Sequence, residues 1–120
     1  MTALAVILGA LLGAPARYLV DRALALRFDS VLPLGTLTVN MGGSALLGAL
    51  IGAGANHWLF AAAGTGFCGA LTTFSTFGYE TVRLAEEGAY SYAVANVVIG
   101  VGASLAAAYL GVQLGQWVRP

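Results

Sequence analysis

The side chains best placed to do chemistry in this chain are concentrated in one stretch, Gly66–Phe77, which reads Gly-Phe-Cys-Gly-Ala-Leu-Thr-Thr-Phe-Ser-Thr-Phe. Phe74 and Phe77 are three residues apart, so in a helix they would share one face. A polar stripe is expected beside them, formed by Thr73, Thr76 and Glu80. The chemistry on offer is hydrogen bonding next to an aromatic surface, and no nucleophile with a neighbouring base indicates an enzyme.

The backbone of this stretch is not expected to form an ordinary membrane helix. Gly66 and Gly69 weaken helical hydrogen bonding, and the hydroxyl side chains that follow compete for backbone partners. A break is therefore predicted near residues 69–73. Irregular backbone at membrane depth is tolerated only where it is buried in protein or lines a watery cavity. The stretch is thus the first candidate for a functional site.

Asn40 is the second candidate, because it begins a stripe of small residues. The stripe recurs every four residues and comprises Asn40, Ser44, Gly48 and Gly52. Small residues at this spacing allow helices to approach closely, so the stripe is expected to face protein. Two interpretations of the amide stay open. It either bonds a neighbouring helix or offers N–H donors that replace water around an anion.

The last apolar run repeats this pattern with Asn96, Gly100, Ser104 and Ala108. This stripe too is expected to face protein. Hydrogen bonding between helices is the simpler interpretation of Asn96 and Ser104, and a polar path completed by both residues is the alternative.

Composition indicates that these segments lie in a membrane. The chain is 59% hydrophobic and 8% charged, with a mean hydropathy of +0.86, which leaves too little polar surface for a soluble globule. Residues 1–16, 30–79 and 88–118 contain no Asp, Glu, Lys or Arg. Since a spanning helix needs about 20 apolar residues, these runs predict one, two and one spans. The expectation is one all-α membrane domain, residues 1–120, with spans at about 3–20, 34–55, 58–84 and 90–117.

Charge and cysteine content narrow the possible partners. The net charge is zero, which argues against nucleic acid as a partner. The single Cys68 cannot form a disulfide within the chain, and its position in an apolar run is typical of a small core residue. The lipid bilayer is the expected surrounding.

Three segments together resemble a known family. They are Gly-Ala-Pro-Ala-Arg-Tyr at 13–18, Gly-Thr-Leu-Thr-Val-Asn-Met-Gly-Gly-Ser at 35–44, and the stretch at 66–77. They are similar, in order and spacing, to the signature segments of the small fluoride channels, also called Fluc or CrcB proteins. The resemblance covers the chain from the first span to the last.

The resemblance implies an antiparallel homodimer of four-helix subunits with two pores, which exports fluoride passively and lowers cytoplasmic fluoride. It also implies residence in the cell inner (plasma) membrane. By motif position, the anion contacts are expected from Phe74, Phe77 and Asn40. Hydroxyls near the pore match Ser75 and Thr76, and an acidic position at its mouth matches Glu80. The fourth helix departs from the family pattern, because Gly100 stands where a serine is expected and Ser104 where a glycine is common.

The same resemblance implies a structural Na⁺ on the dimer axis, held by backbone carbonyls at the break in the third helix. The matching positions are Gly69 and Thr72. Hard carbonyl oxygens suit Na⁺ rather than an anion. Fluoride, in turn, loses its water reluctantly and needs donors such as the Asn40 amide, hydroxyls and the positive edges of phenylalanine rings. No Lys occurs in the chain, and no Arg lies between Arg27 and Arg83, which is typical of conduction rather than tight storage.

Two other classes of protein compete with the channel. A small proton-coupled multidrug exporter would be similar in length, but it should carry an acidic residue deep in a span, and the first run has no carboxylate before Asp21. A non-transporting scaffold subunit would explain the small-residue stripes but not the concentration of Thr, Ser and Phe in one span.

Arginine placement bears on orientation. Arg22, Arg27 and Arg83 fall on the side of the first and third loops, whereas Arg119 falls on the side of the termini. A strict positive-inside interpretation puts the termini outside. The excess is only a few arginines, and the implied antiparallel dimer needs both orientations, so dual insertion is expected.

Overall fold

The uncharged runs of the sequence form long helices in the structure, a computed structural model that describes residues 2–119. The long helices are α1 (Thr2–Arg27), α2 (Leu34–Gly52) and α6 (Tyr90–Val118). Between α2 and α6 lie α3 (His57–Leu59), a π-helical segment (Phe60–Cys68), α4 (Gly69–Leu71) and α5 (Ser75–Glu86). Within the described residues, α1, α2 and α6 are each long and apolar enough to cross a membrane.

Three of the four predicted spans correspond to single helices of the structure, and one is divided. Those predicted at 3–20, 34–55 and 90–117 correspond to α1, α2 and α6, and α1 continues beyond its predicted span to Arg27. The span predicted at 58–84 is divided. One helical run covers residues 57–71, α5 begins at Ser75, and residues 72–74 lie between them outside any helix. Thr72 leaves helical geometry with a ψ of 157°.

The helix pair α2 and α6 packs backbone against backbone. A Cβ added to Gly48 or Gly52 would collide with the carbonyl oxygens of Ala108 and Val112. Gly111 and Gly115 of α6 make equally close approaches to the backbone of α2. Both predicted stripes thus face protein. The pairing of 48 with 108 and of 52 with 112 shows that the two helices run in the same direction.

A second close pair joins α1 to the π-helical segment. Gly9 and Gly13 lie against the backbone of Ala62 and Phe67, and Gly66 lies against the carbonyl of Val6. The four-residue spacing of Gly9 and Gly13 therefore serves helix packing. The π-helical geometry was not predicted from sequence. Such geometry is rare in proteins, and where it does occur it is frequently at a functional site.

Large apolar side chains point away from the helix bundle. Leu12, Leu110 and Trp117 are each more than two-thirds exposed, whereas half of the buried apolar residues are small, among them Ala5 and Ala61. In water this would be an unstable arrangement, because exposed apolar area is unfavourable. It suits a protein whose outer surface contacts lipid tails and whose helices are held by close backbone packing.

Candidate functional site

The interruption at residues 72–74 is held by the side chain of Asn40 on α2. Its Nδ2 donates to the carbonyl of Thr73 at 3.1 Å, and its Oδ1 accepts from the Thr73 N–H at 2.8 Å. Thr73 is 9% exposed, so both of its backbone groups would be costly to leave without partners. Of the two interpretations of Asn40, hydrogen bonding to another segment of the protein is observed, and the partner is the non-helical Thr73.

The Thr73 hydroxyl then starts the next helix. Its Oγ1 accepts from the Thr76 N–H at 3.2 Å and donates to the Thr76 hydroxyl at 3.1 Å. The Ser75 hydroxyl lies 3.4 Å from the same oxygen. This side-chain acceptor satisfies one of the free N–H groups that every helix leaves in its first turn. The contact therefore fixes where α5 begins.

These side chains divert two backbone N–H groups from their helical acceptors. In a continuous α-helix, the N–H of Thr73 would donate to the carbonyl of Gly69, and that of Thr76 to the carbonyl of Thr72. Instead the first donates to Asn40 and the second to the Thr73 hydroxyl. The carbonyls of Gly69 and Thr72 thereby lose their helical donors. These are the two positions that the family resemblance implied as cation ligands.

The Thr72 side chain is anchored separately. Its hydroxyl donates to the carbonyl of Cys68 at 2.8 Å, and its own N–H donates to the same carbonyl at 2.9 Å. Its methyl group occupies the space that a Cβ on Gly43 would need. The residue that turns the chain out of the helix is thus fixed against both α2 and the preceding turn.

Phe74 and Phe77 follow directly, with ring centroids 6.1 Å apart and ring planes inclined at 44°. The Phe74 ring is 83% exposed, whereas that of Phe77 is half-buried. Both rings line an open groove of about 690 Å³. Asn40, Ser104, Gly69 and Thr72 also line this groove. The structure therefore brings together six of the nine predicted site residues.

The other three, Ser75, Thr76 and Glu80, are not among the residues that line the groove. Ser75 and Thr76 are exposed in the first turn of α5. Glu80 accepts a 2.6 Å hydrogen bond from the Thr36 hydroxyl and lines a separate cavity of about 350 Å³. Asp21 and Asp29 line that cavity as well. The predicted stripe is thus divided between two environments. Thr73 and Thr76 bond each other at the start of α5, whereas Glu80 bonds Thr36 and lines the separate cavity.

Polar residues outside the nine predicted site positions also contribute. Thr36 is 4% exposed and stands four residues before Asn40, so extending the α2 stripe by one turn would have found it. Thr65 and Ser44 line the groove. Asn96 is 5% exposed and donates from Nδ2 to the Thr81 hydroxyl at 2.8 Å, which joins α6 to α5.

The groove combines an apolar surface with uncharged donors. The described residues that line it include no Asp, Glu, Lys, Arg or His. Its polar groups are hydroxyls, the Asn40 amide and backbone atoms. Such a surface can exchange hydrogen bonds with a small ion as it loses water, without a fixed opposite charge that would hold the ion in place.

Comparison with known proteins identifies the family. The family described as "CrcB-like protein, Camphor Resistance (CrcB)" matches residues 4–112. The chain belongs to the CrcB family. The match extends from α1 through most of α6 and includes all the residues that line the groove.

Relatives of this CrcB-family chain extend over nearly its whole length. It is 69% identical over 115 residues to the fluoride-specific ion channel FluC 1 of Nocardia farcinica, covering 96% of this chain and 81% of that protein. It is 51% identical over 120 residues to FluC 1 of Streptomyces avermitilis, covering 97% of each. It is 44% identical to FluC of Vibrio cholerae over 87% of this chain and 86% of that protein. The relatives are named as ion channels and not as enzymes.

Removal of the Asn40 amide should loosen the interruption. We expect Asn40→Ala to lower the free energy of unfolding by about 1–3 kcal/mol, because the buried N–H and carbonyl of Thr73 both lose a partner. Hydrogen exchange at the Thr73 amide should become faster. Ser44→Ala, one turn along α2 on the same groove, is the matched control and should leave that amide protected. Unchanged exchange in Asn40→Ala would show that Thr73 regains the Gly69 carbonyl as its acceptor.

Proposed function

We propose that this CrcB-family protein is a fluoride-selective channel that carries fluoride passively out of the cell and lowers cytoplasmic fluoride. The names of its close relatives support this function, since they are called fluoride-specific ion channels at up to 69% identity. The single observation that carries the proposal is the uncharged groove in which two phenylalanine rings and an asparagine amide meet. We further propose the inner (plasma) membrane as its location.

The anion contacts are assigned to the groove. One N–H of the Asn40 amide donates to Thr73, so one N–H remains for fluoride. The edges of Phe74 and Phe77 carry partial positive charge and add a weaker attraction. The Ser104 hydroxyl across the groove supplies a further donor. These groups replace the water that fluoride must shed, and none binds so strongly that the ion is trapped.

The entrance of the pathway is assigned to the start of α5 and its polar neighbours. Ser75 and Thr76 are exposed hydroxyls there, and Glu80 lies one turn beyond Thr76 in contact with Thr36. In this assignment, the hydroxyls provide the first exchange of hydrogen bonds outside the groove. Glu80 is the acidic group at the mouth.

A structural Na⁺ is proposed at the carbonyls of Gly69 and Thr72. The chemistry of the donors fits, because both carbonyls have lost their helical N–H donors and carbonyl oxygens are hard ligands. The ion would supply fixed positive charge that balances the oxygens of the interrupted backbone. Gly69 is exposed at the surface of one subunit, where a second subunit could add its own pair of oxygens.

A homodimer completes this arrangement. The Phe74 ring is 83% exposed and the groove is open, so a single chain does not enclose a pathway. An antiparallel partner related by two-fold symmetry would close two such pathways and place two copies of the interruption at one axis.

The function is tested with purified protein in liposomes loaded with potassium fluoride. We expect fluoride to leave down its gradient while chloride in parallel vesicles stays inside, with no requirement for protons or ATP, because the groove offers hydrogen bonds without a coupling carboxylate. An ion-selective electrode measures the release. Comparable loss of chloride and fluoride would contradict selectivity, and drug-driven proton exchange would favour an exporter.

The two rings are tested by Phe74→Ile and Phe77→Ile. Isoleucine keeps much of the apolar volume but removes the ring edge, so fluoride flux should fall about tenfold or more, the effect of losing about 1.4 kcal/mol in the pathway. Phe67→Ile is the control, since the Phe67 backbone contacts α1 and the residue is not among those that line the groove. The dimer should remain intact in all three on size-exclusion chromatography. Parent-like flux in both groove variants would exclude the rings from the pathway.

Orientation is tested with a single accessible thiol. Cys68→Ala removes the native thiol, and one Cys is added after residue 120. The expectation under test is that the chain inserts in both directions. In sealed, right-side-out vesicles, a membrane-impermeant thiol reagent should label about half of the protein before permeabilisation and the rest after it. Cys68→Ala without the added Cys should not label. Complete labelling or complete protection would contradict the antiparallel dimer even if fluoride transport is observed.

A further inference from the structure

The ring of Phe77 lies against a gap in α6 that exists because residue 100 is glycine. A Cβ built on Gly100 would stand 2.8 Å from Cε1 of the ring and 3.5 Å from both Cδ1 and Cζ. The first distance is shorter than carbon atoms tolerate without movement. The ring can therefore occupy its observed position only while residue 100 has no side chain.

One turn earlier, the same face of α6 holds the backbone of Phe77. The buried Asn96 donates from Nδ2 to the Thr81 hydroxyl at 2.8 Å, and that hydroxyl donates to the carbonyl of Phe77 at 2.9 Å. Asn96 is 5% exposed, so its amide would be costly to leave without this acceptor. The two hydrogen bonds connect α6 to the residue that carries the ring.

The two contacts constrain different parts of one residue. The chain from Asn96 fixes the carbonyl of Phe77, and hence the rotation of α5 about its own axis. The gap at Gly100 selects the direction of the ring from that backbone. Because residues 96 and 100 are separated by about one helical turn, a single face of α6 provides both constraints. From α2, Asn40 holds the residues before α5 through Thr73.

We infer that Gly100 and Asn96 are positioning residues for the Phe77 ring, Gly100 by leaving its space and Asn96 by fixing its backbone through Thr81. The inference rests on the proposed function, in which the edge of this ring contacts the anion. It also gives a physical reason for glycine at position 100, where the family resemblance leads one to expect serine. In this chain, a serine Cβ would occupy the space that the ring uses.

The test compares Gly100→Ala with Gly102→Ala. Both add one methyl group to α6, but a Cβ on Gly102 meets nothing within 4 Å. The protein is labelled with 4-fluorophenylalanine, which replaces its five phenylalanines, and the Phe77 resonance is assigned with Phe77→Ile. We expect Gly100→Ala to shift the Phe77 ¹⁹F resonance and to lower fluoride flux about tenfold, as for a ring forced away from its preferred rotamer. Gly102→Ala should change neither.

A second pair of variants tests the backbone contact and remains available if Gly100→Ala does not fold. Thr81→Ser keeps the hydroxyl, whereas Thr81→Val keeps the shape and removes it. Thr81→Val should shift the Phe77 resonance and reduce flux, and Thr81→Ser should resemble the parent. A general loss of stability would instead alter resonances of all five rings and lower the melting temperature in parallel with flux.

The outcomes separate this inference from the proposed function. If the parent carries fluoride while Gly100→Ala leaves both the Phe77 resonance and the flux unchanged, the inference is wrong and the channel assignment stands. A shifted resonance with parent-like flux would support the positioning of the ring by Gly100 and would contradict the assignment of the Phe77 ring edge to the fluoride pathway. If the parent carries no fluoride at all, the proposed function fails first, and the resonance still reports whether Gly100 positions the ring.

Discussion

The structure depends on how a helix can be interrupted among apolar surroundings without leaving backbone polar groups unpaired. Lipid offers no hydrogen bonds, so each N–H and carbonyl released by the interruption needs a partner from the protein or an ion. Asn40 supplies a donor and an acceptor to Thr73, and the Thr73 hydroxyl supplies an acceptor to the next turn. These three hydrogen bonds hold the interruption and the start of α5, where Phe74 and Phe77 lie.

Close backbone packing makes this arrangement possible. Glycines let α2 approach α6 and let α1 approach the π-helical segment, so the helices that flank the interruption are held at short distances. In a membrane, such packing contributes more to helix association than burial of large apolar side chains, because lipid tails are as apolar as leucine. Most of the large apolar side chains therefore face outward, and the inner surfaces combine a few leucines with small residues, hydroxyls and two asparagine amides.

Sequence patterns predicted much of this fold and part of the site. Apolar runs gave the long helices because length and charge content decide which segments can span a membrane. The four-residue stripes correctly indicated protein-facing surfaces. The π-helical segment Phe60–Cys68 was missed because its apolar composition is the same as that of an ordinary helix.

The division of the polar residues was also beyond the sequence. A helical wheel puts Thr76 and Glu80 on one face, but it does not predict which residue of another segment each side chain contacts. Glu80 meets Thr36 of α2, whereas Thr76 meets the hydroxyl of Thr73. The pairing of Glu80 with Thr36 is a contact between two helices, and a single sequence carries no direct record of it.

Asn40 shows why the two interpretations of a membrane asparagine need not exclude each other. Its amide has two N–H donors and one acceptor oxygen. Thr73 bonds the oxygen and one N–H of this amide, which fixes its plane and direction. The second N–H therefore has a fixed orientation and no partner in the interruption. A donor that is already oriented loses little entropy when it meets an ion. In the proposed channel, the hydrogen bonds that satisfy the interrupted backbone therefore also orient the second N–H of Asn40. The carbonyls available to a cation and the amide available to an anion both result from the interruption at residues 72–74.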